Sequence, residues 1–324
     1  MNSKRCPYCN CTRNVIKYGT QSKRQRYYCK NCNKAFHSKP RPSRLQSQIW
    51  DDFVFNKMTF ELLSHKYHKS KNTIKKIVNN IEIDIEVDLS RLTAKEKAEI
   101  KVVIMDATYF KKNDGNIAVV DAKDGRLLYF KALGKAECNT AYQQAIDTLI
   151  EAGIHPKACV IDGRKGVREM LEERGILVQY CLFHVLLMRN QCLTRKPDLE
   201  PNIELREIVG YLCHKGGDAD KTTFYAMMGG WELKYGLWLM EKDDNGNYSH
   251  EKTRRLFFSI KRNMRWYFTY QEYPDLHIPK TSNRIEGKFG NAKTELKIHR
   301  GYSKSLRTKI LFSALSGRTE VDNN

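Results

Sequence analysis

The chain has 324 residues, room for two or three domains, and its 41% hydrophobic content is enough for real cores, which excludes global disorder. The formal net charge of +20 is concentrated at the front, where residues 1–80 hold 18 Lys/Arg against three acids, Asp51, Asp52 and Glu61. So basic a block favours a polyanionic partner, nucleic acid before an anionic membrane; an apolar run of about 18 residues is missing, and MNSKRCPYCN has no signal-peptide core.

Ten cysteines with no signal peptide fit a reducing, cytoplasmic compartment, where CxxC pairs are metal sites before they are disulfides. Cys6-x2-Cys9 and Cys29-x2-Cys32 are separated by 19 residues, a spacing expected of a tetrahedral zinc ribbon over residues 1–44. The alternatives are redox cysteines, or a site that uses Cys11 in place of Cys9. Between the pairs lie Lys23, Arg24, Arg26, Tyr27 and Tyr28, placed as phosphate contacts would be. The prolines of Lys39-Pro-Arg-Pro-Ser43 then read as a linker.

Residues 45–87 show helical periodicity. A first helix over 59–67 would turn Leu62, Leu63 and Tyr67 inward, and Ser70 would cap a second with Ile74, Ile77 and Val78 buried. This second helix leaves Lys71, Asn72, Lys75, Lys76 and Asn79 outside, as the recognition helix of a helix-turn-helix does, or simply as a solvated basic face. Residues 88–98 carry mixed charge and read as a linker.

From residue 99 the pattern changes. Apolar runs over 100–105, 116–120 and 127–132, separated by Asn113-Asp-Gly115 and Lys123-Asp-Gly125, predict antiparallel strands. A helix over 140–152, a strand over 158–161, a helix over 167–173 and a strand over 176–182 complete a βββαβαβ order, hence a mixed sheet with helices packed on it. Residues 185–279 read as a mostly helical insertion, and helices over 283–299 and 303–315 close the chain. The other six cysteines read mostly as small buried hydrophobes.

Asp106 ends the run Lys101-Val-Val-Ile-Met105, and Asp162 ends Ala158-Cys-Val-Ile161 in the same way. On neighbouring strands both would sit at one end of the sheet, where two ionised carboxylates require a cation; magnesium suits such oxygen ligands. Alternatively, Asp162-Gly163 is a turn and Asp106 caps a loop. Glu286 fits a capping box with Asn283 as N-cap. On a helical wheel, Ile285, Phe289, Ala292 and Leu296 form the buried stripe, while Glu286, Gly290, Lys293 and Lys297 share another face, adjoined by Arg300. Gly287 and Gly290, costly inside a helix, suggest close approach by DNA or another chain. Cys181 and His184 form a pair that could bind a metal, or a buried Cys beside a satisfied His.

Met105-Asp-Ala-Thr-Tyr109, Ile161-Asp-Gly-Arg-Lys-Gly166, Cys181-Leu-Phe-His184, Thr281-Ser-Asn-Arg-Ile-Glu-Gly287 and His299-Arg-Gly-Tyr-Ser303 together resemble, in order, the motifs of Mutator-like DDE transposases, a superfamily that includes many bacterial insertion-sequence enzymes. The resemblance spans about residues 100–315. It implies an α/β chain with an RNase H-like mixed-sheet catalytic core (99–184 and 280–318) and a helical insertion (185–279), preceded by a small zinc ribbon and an all-α helix-turn-helix domain. It also implies DNA cleavage and strand transfer, with two Mg2+ (or Mn2+) ions held by Asp106, Asp162 and Glu286, and with Cys181 and His184 as active-site support rather than zinc ligands.

Residues 251–310 carry 15 Lys/Arg against five acids, which makes Lys288, Lys293 and Lys297, together with Arg164 and Lys165, candidates for phosphate contacts. The expected partners are double-stranded DNA, as element ends and target, and a second copy of the chain in a homodimer assembled on DNA, in the cytoplasm at a bacterial nucleoid. The rival readings are a zinc-ribbon and helix-turn-helix regulator with an inert second domain, and an RNase H-like nuclease that cuts without joining.

Overall fold

The computed structural model describes residues 6–9, 11, 13–21, 24–37, 42–111, 114–133, 139–213, 217–298 and 301–317. Residues 39–41 of the Lys39–Ser43 linker and Asn113 of the first turn lie outside them. Residues up to Asp84 form one unit and Ile85–Gly317 another.

In the first unit β1 (Val15–Gln21), β2 (Arg24–Cys29) and β3 (Lys34–His37) make an antiparallel sheet in the order β1-β2-β3. Among the described residues of this part only Cys6 and Cys29 are fully buried, so the sheet has almost no apolar core of its own. Three helices follow: α1 (Arg44–Val54), α2 (Phe60–Tyr67) and α3 (Lys71–Asn80). Each starts where a hydroxyl caps it: the side chains of Ser43, Thr59 and Ser70 accept the N–H groups of Gln46, Leu62 and Thr73.

Sequence periodicity gave two of these helices. The third, α1, contributes Ile49, Trp50 and Phe53 to a core completed by Leu63, Ile74 and Val78. Leu62, expected inside, is exposed, and Tyr67 and Ile77 are half-buried. Tyr67 has a polar task. Its hydroxyl donates to the buried carboxylate of Asp52 at 2.6 Å, joined by Asn56 Nδ2 at 2.7 Å and Lys66 Nζ at 2.6 Å. Burial works against the Asp52 charge, but the bonds from Lys66, Tyr67 and Asn56 outweigh it and hold this carboxyl below its usual range.

The second unit opens with a segment that differs from the expected linker. Leu89 is buried in the main core, Val87 and Leu92 pack against it, and the short α4 (Ala94–Glu99) leads into the sheet. Its strands are β4 (Val102–Lys111), β5 (Asp114–Asp121), β6 (Leu127–Leu133), β7 (Ala158–Ile161) and β8 (Leu177–Tyr180), in the order β6-β5-β4-β7-β8. Pairing is antiparallel from β4 to β6 and parallel from β4 through β7 to β8. The parallel crossovers are made by α5 (Asn139–Glu151) and α6 (Lys165–Glu172). Val103, Met105, Ile117 and Val119 meet α5 residues Tyr142, Ala145 and Ile146 in one cluster.

Strand β4 departs from expectation in length. The apolar run stops at Met105, yet the strand continues to Lys111 because β5 keeps pairing with it. Helices α7 (Leu182–Cys192), α8 (Glu200–Leu212), α9 (Lys221–Tyr235), α10 (Glu251–Asn263) and α11 (Thr269–Glu272) form the expected helical region. Its interior is aromatic: Trp231 stacks on Phe257 at 4.8 Å, and Phe224 meets Phe268 at 5.7 Å. The chain then returns to the sheet as α12 (Asn283–Ile298) and α13 (Lys304–Ser316). There Arg307 Nε donates to Asp114 Oδ2 at 2.7 Å, tying α13 to β5.

Candidate functional site

Strand alternation decides where Asp106 faces. Val103 and Met105 enter the main core, so Ile104 and Asp106 lie on the opposite side of β4, the strand against which α12 packs. The parallel register pairs Val102 with Ala158 and Ile104 with Val160, and carried two residues further it sets Asp106 abreast of Asp162. β7 ends at Ile161, so Asp106 stands in mid-strand but at the point where β4 loses its parallel neighbour.

The carboxylate of Asp106 is buried and accepts the N–H of Ala107 at 2.8 Å. Asp162 is exposed and accepts the N–H of Arg164 at 3.2 Å, over a turn in which Gly163 takes φ +95°. The turn reading of Asp162-Gly163 therefore describes its backbone, and it leaves the carboxylate at the sheet end.

An open cleft of about 580 Å3 is lined by Asp106, Thr108, His184, Glu286, Gly290 and Lys293, among others. Gly287 also lines it, and a Cβ built on Gly287 or Gly290 would meet nothing within 4 Å. The described residues thus give no internal reason for two helix-weakening glycines, which suits the approach of something external. Thr108 is buried with its hydroxyl unpartnered, as is the amide of Asn116, its cross-strand neighbour, among the described residues.

Glu286 is held differently from the expected capping box. Helix α12 begins at Asn283, which moves the cap back to Ser282, whose carbonyl accepts the N–H of Glu286 at 3.0 Å. The Ser282 hydroxyl donates to Glu286 Oε1. Ser282 is buried, lies with its Oγ 3.0 Å from Cys181 Sγ, and donates its N–H to that sulfur at 3.2 Å. Cys181 Sγ is 3.7 Å from Glu286 Oε1, and His184 Nδ1 is also 3.7 Å from it. Burial pushes the Cys181 thiol up to about 11, so the sulfur is protonated at neutral pH. Sequence reasoning paired Cys181 with His184 but missed Ser282; the available signal was a hydroxyl four residues before Glu286, one helical turn away.

The basic residues divide. Lys293 lines the cleft. Arg164 reaches Asn139 Oδ1 at 3.2 Å beside Asp162, and Lys165 is exposed, 3.6 Å from Glu169. Lys288 departs from the phosphate-contact expectation: its ammonium donates to the carbonyls of Gly125 at 2.9 Å and Leu315 at 3.0 Å, and burial lowers its pKa. It clamps α12 onto the rest of the unit. The side chain of Lys297, and Arg300 altogether, lie outside the described residues, as do Lys23 and the side chain of Arg24.

In the first unit Arg26 is half-buried against the Tyr18 ring at 5.3 Å. Lys71, Asn72, Lys75 and Lys76 are all exposed on α3, with Lys71 3.2 Å from Glu61 and Lys75 5.9 Å from the Phe60 ring centre.

The sulfurs of Cys6, Cys9, Cys29 and Cys32 converge within 4.8 Å of one another, with 3.5 Å for both the Cys6–Cys32 and the Cys9–Cys29 pair. All four are free thiols, and Cys11 stays outside the cluster. Backbone and amide donors already point at the sulfurs: Tyr8 N–H at Cys6 and Asn31 Nδ2 at Cys9. The Asn31 bond holds the Cys9 thiol down at about 6, while burial pushes Cys32 up to about 12. Four sulfurs at the edge length of a small tetrahedron fit zinc, whose thiolate ligands lie at about 2.3 Å.

No family model matches the chain, and no curated protein matches it. Among solved structures, a Drosophila P element transposase strand transfer complex aligns over 87% of this chain and 94% of its own, at 10% identity and TM-score 0.44. A Mos1 mariner paired end complex with Mn aligns over 73% and 81%, at 14% identity and TM-score 0.19. Both superpositions are too loose to establish a shared fold.

Proposed function

We propose that the protein is a DDE-type DNA transposase that binds the ends of an insertion element, cleaves them and joins them to target DNA. One observation carries the reading: the β4–β7 register, extended past its last pair, brings Asp106 level with Asp162 just beyond the end of β7, and Glu286 shares the cleft of Asp106. The order β6-β5-β4-β7-β8, with helices returning after a long helical insertion, agrees with an RNase H-like core. The Mutator-like motifs fall on these elements in the order that the family has them.

The donor set suits a hard cation, since Asp106, Asp162 and Glu286 offer only oxygens, and Asp106 and Glu286 line the open cleft. Magnesium or manganese, when bound there, would supply Lewis-acid activation for in-line displacement at phosphorus. The chain's own residues do the rest. Ser282 orients the Glu286 carboxylate, Lys293 and Arg164 bind phosphate oxygens, and Gly287 and Gly290 let the DNA backbone come close. The cysteine cluster with β1–β3 acts as a zinc ribbon, and α2 and α3 as a helix-turn-helix that offers Lys71, Asn72, Lys75 and Lys76 to element-end DNA. Joining two ends together calls for at least a homodimer on the DNA.

The test is cleavage of an element-end duplex by the full-length chain with Mg2+, compared with Asp162→Asn. Loss of nicking is expected; equal nicking by the variant would sink the assignment. A second arm supplies precleaved ends, and a failure to form joined product would leave a nuclease instead.

A further inference from the structure

Glu286 shares its cleft with Asp106, and a sulfur and an imidazole lie close to its carboxylate. Ligands held 2.0–2.3 Å from a tetrahedral ion are roughly 3.3–3.8 Å apart. Cys181 Sγ and His184 Nδ1 each lie 3.7 Å from Glu286 Oε1, and all three donors fall within 4.8 Å of one another. His184 Nδ1 is buried and makes no hydrogen bond among the described residues, a costly state for a ring nitrogen that has no ligand. Meanwhile His184 and Glu286 both line the cleft, which leaves a fourth position open to solvent.

We propose that Cys181, His184 and Glu286 form a second, transition-metal site of the zinc class, separate from the four-cysteine cluster, whose occupation takes Glu286 away from the oxygen set proposed with Asp106 and Asp162. The chemistry selects the ion. A thiolate with an imidazole and one carboxylate favours zinc or cobalt over magnesium, whereas the oxygen set favours the reverse. Binding forms a sulfur–metal bond and releases the thiol proton to solvent. Ser282 remains behind the site, with its hydroxyl on the glutamate and its N–H on the sulfur, the outer-shell arrangement that orients metal ligands. The inhibitory consequence rests on the transposase reading; the site itself does not.

The experiment uses the full-length chain, stripped of metal and titrated with Co2+ and then Zn2+, read by the thiolate-to-cobalt charge-transfer band and by bound metal per chain. Two equivalents are expected. Cys181→Ser should keep the cluster's equivalent and weaken the other by at least about tenfold, and Cys29→Ser should do the opposite. His184→Ala, at a partly exposed side chain, gives the same readout if the buried Cys181→Ser fails to fold. A single equivalent, or a second one that survives both Cys181→Ser and His184→Ala, overturns the site. In a parallel arm, micromolar Zn2+ added over saturating Mg2+ should slow nicking of element-end DNA, and less so in His184→Ala. Two equivalents with no nicking under any condition would refute the transposase reading and leave the site standing, whereas unslowed nicking would refute the competition.

Discussion

Ser282→Ala is the sharpest single perturbation of the site. The substitution removes the hydroxyl that donates to Glu286 Oε1 and lies 3.0 Å from Cys181 Sγ. It leaves the backbone untouched: the Ser282 carbonyl still accepts the Glu286 N–H, and the Ser282 N–H still donates to Cys181. Helix α12 therefore keeps its start, and the loss falls on the direction of one carboxylate. A hydrogen bond to a charged group contributes about 1.5–3 kcal/mol. At about 1.4 kcal/mol per decade of rate, the expected fall in nicking is roughly ten- to hundred-fold. The assay is single-turnover nicking of an element-end duplex across a Mg2+ series, with Ser282→Thr as the conservative control that restores a hydroxyl. A rate within about twofold of the parent for Ser282→Ala, while Glu286→Gln is inactive, would refute the claim that the hydroxyl positions the glutamate.

Other tests address the rest of the chain. Lys288→Met should lower thermal stability, since it leaves the carbonyls of Gly125 and Leu315 without their shared donor. The same change should leave the salt dependence of DNA binding unaltered; a slope reduced by about one would return Lys288 to the phosphate contacts. The Asp52 carboxyl is held below its unfolded value, so its contribution is full above about pH 4 and is lost as pH falls through the folded pKa. Circular dichroism of the intact chain should show acid destabilisation that Asp52→Asn reduces, while the gap in stability between parent and variant stays the same from pH 6 to 8. Chelation of zinc, or Cys29→Ser, should abolish the near-ultraviolet signal of the tyrosines on β1 and β2, because almost nothing but the sulfur cluster is buried there. A signal indifferent to both would remove the structural zinc.

Periodic segments were readable because burial imposes a period: Ala158–Ile161 is the strand that the apolar run indicates, and α5 falls within a residue of its expected bounds. What escaped reading was set by partners distant in the chain. Strand β4 runs past Asp106 because β5 pairs with it, although the apolar run stops one residue earlier. Either Asn283 or Ser282 can cap a helix, and the return of the chain to Cys181 selects Ser282. Local charge balance marks Lys288 only as one of many basic residues; two carbonyls, 163 and 27 residues away, decide its role. Arg44–Val54 was hidden by its mixed composition, with Asp52 buried among aromatics.

The contact between Cys181 and Ser282 joins residues 101 positions apart, and the neighbouring Leu182 N–H donates to the carbonyl of Lys280 at 2.9 Å. The helical region thus leaves and re-enters the sheet domain through one doorway. During synthesis, both aspartates and every strand emerge before the residues that close it. A nascent chain can carry Asp106, Asp162 and all five strands of this sheet before Glu286 has been made. The doorway also makes the intervening helices exchangeable, since any segment that leaves at Leu182 and comes back at Lys280 would set Glu286 in the same place.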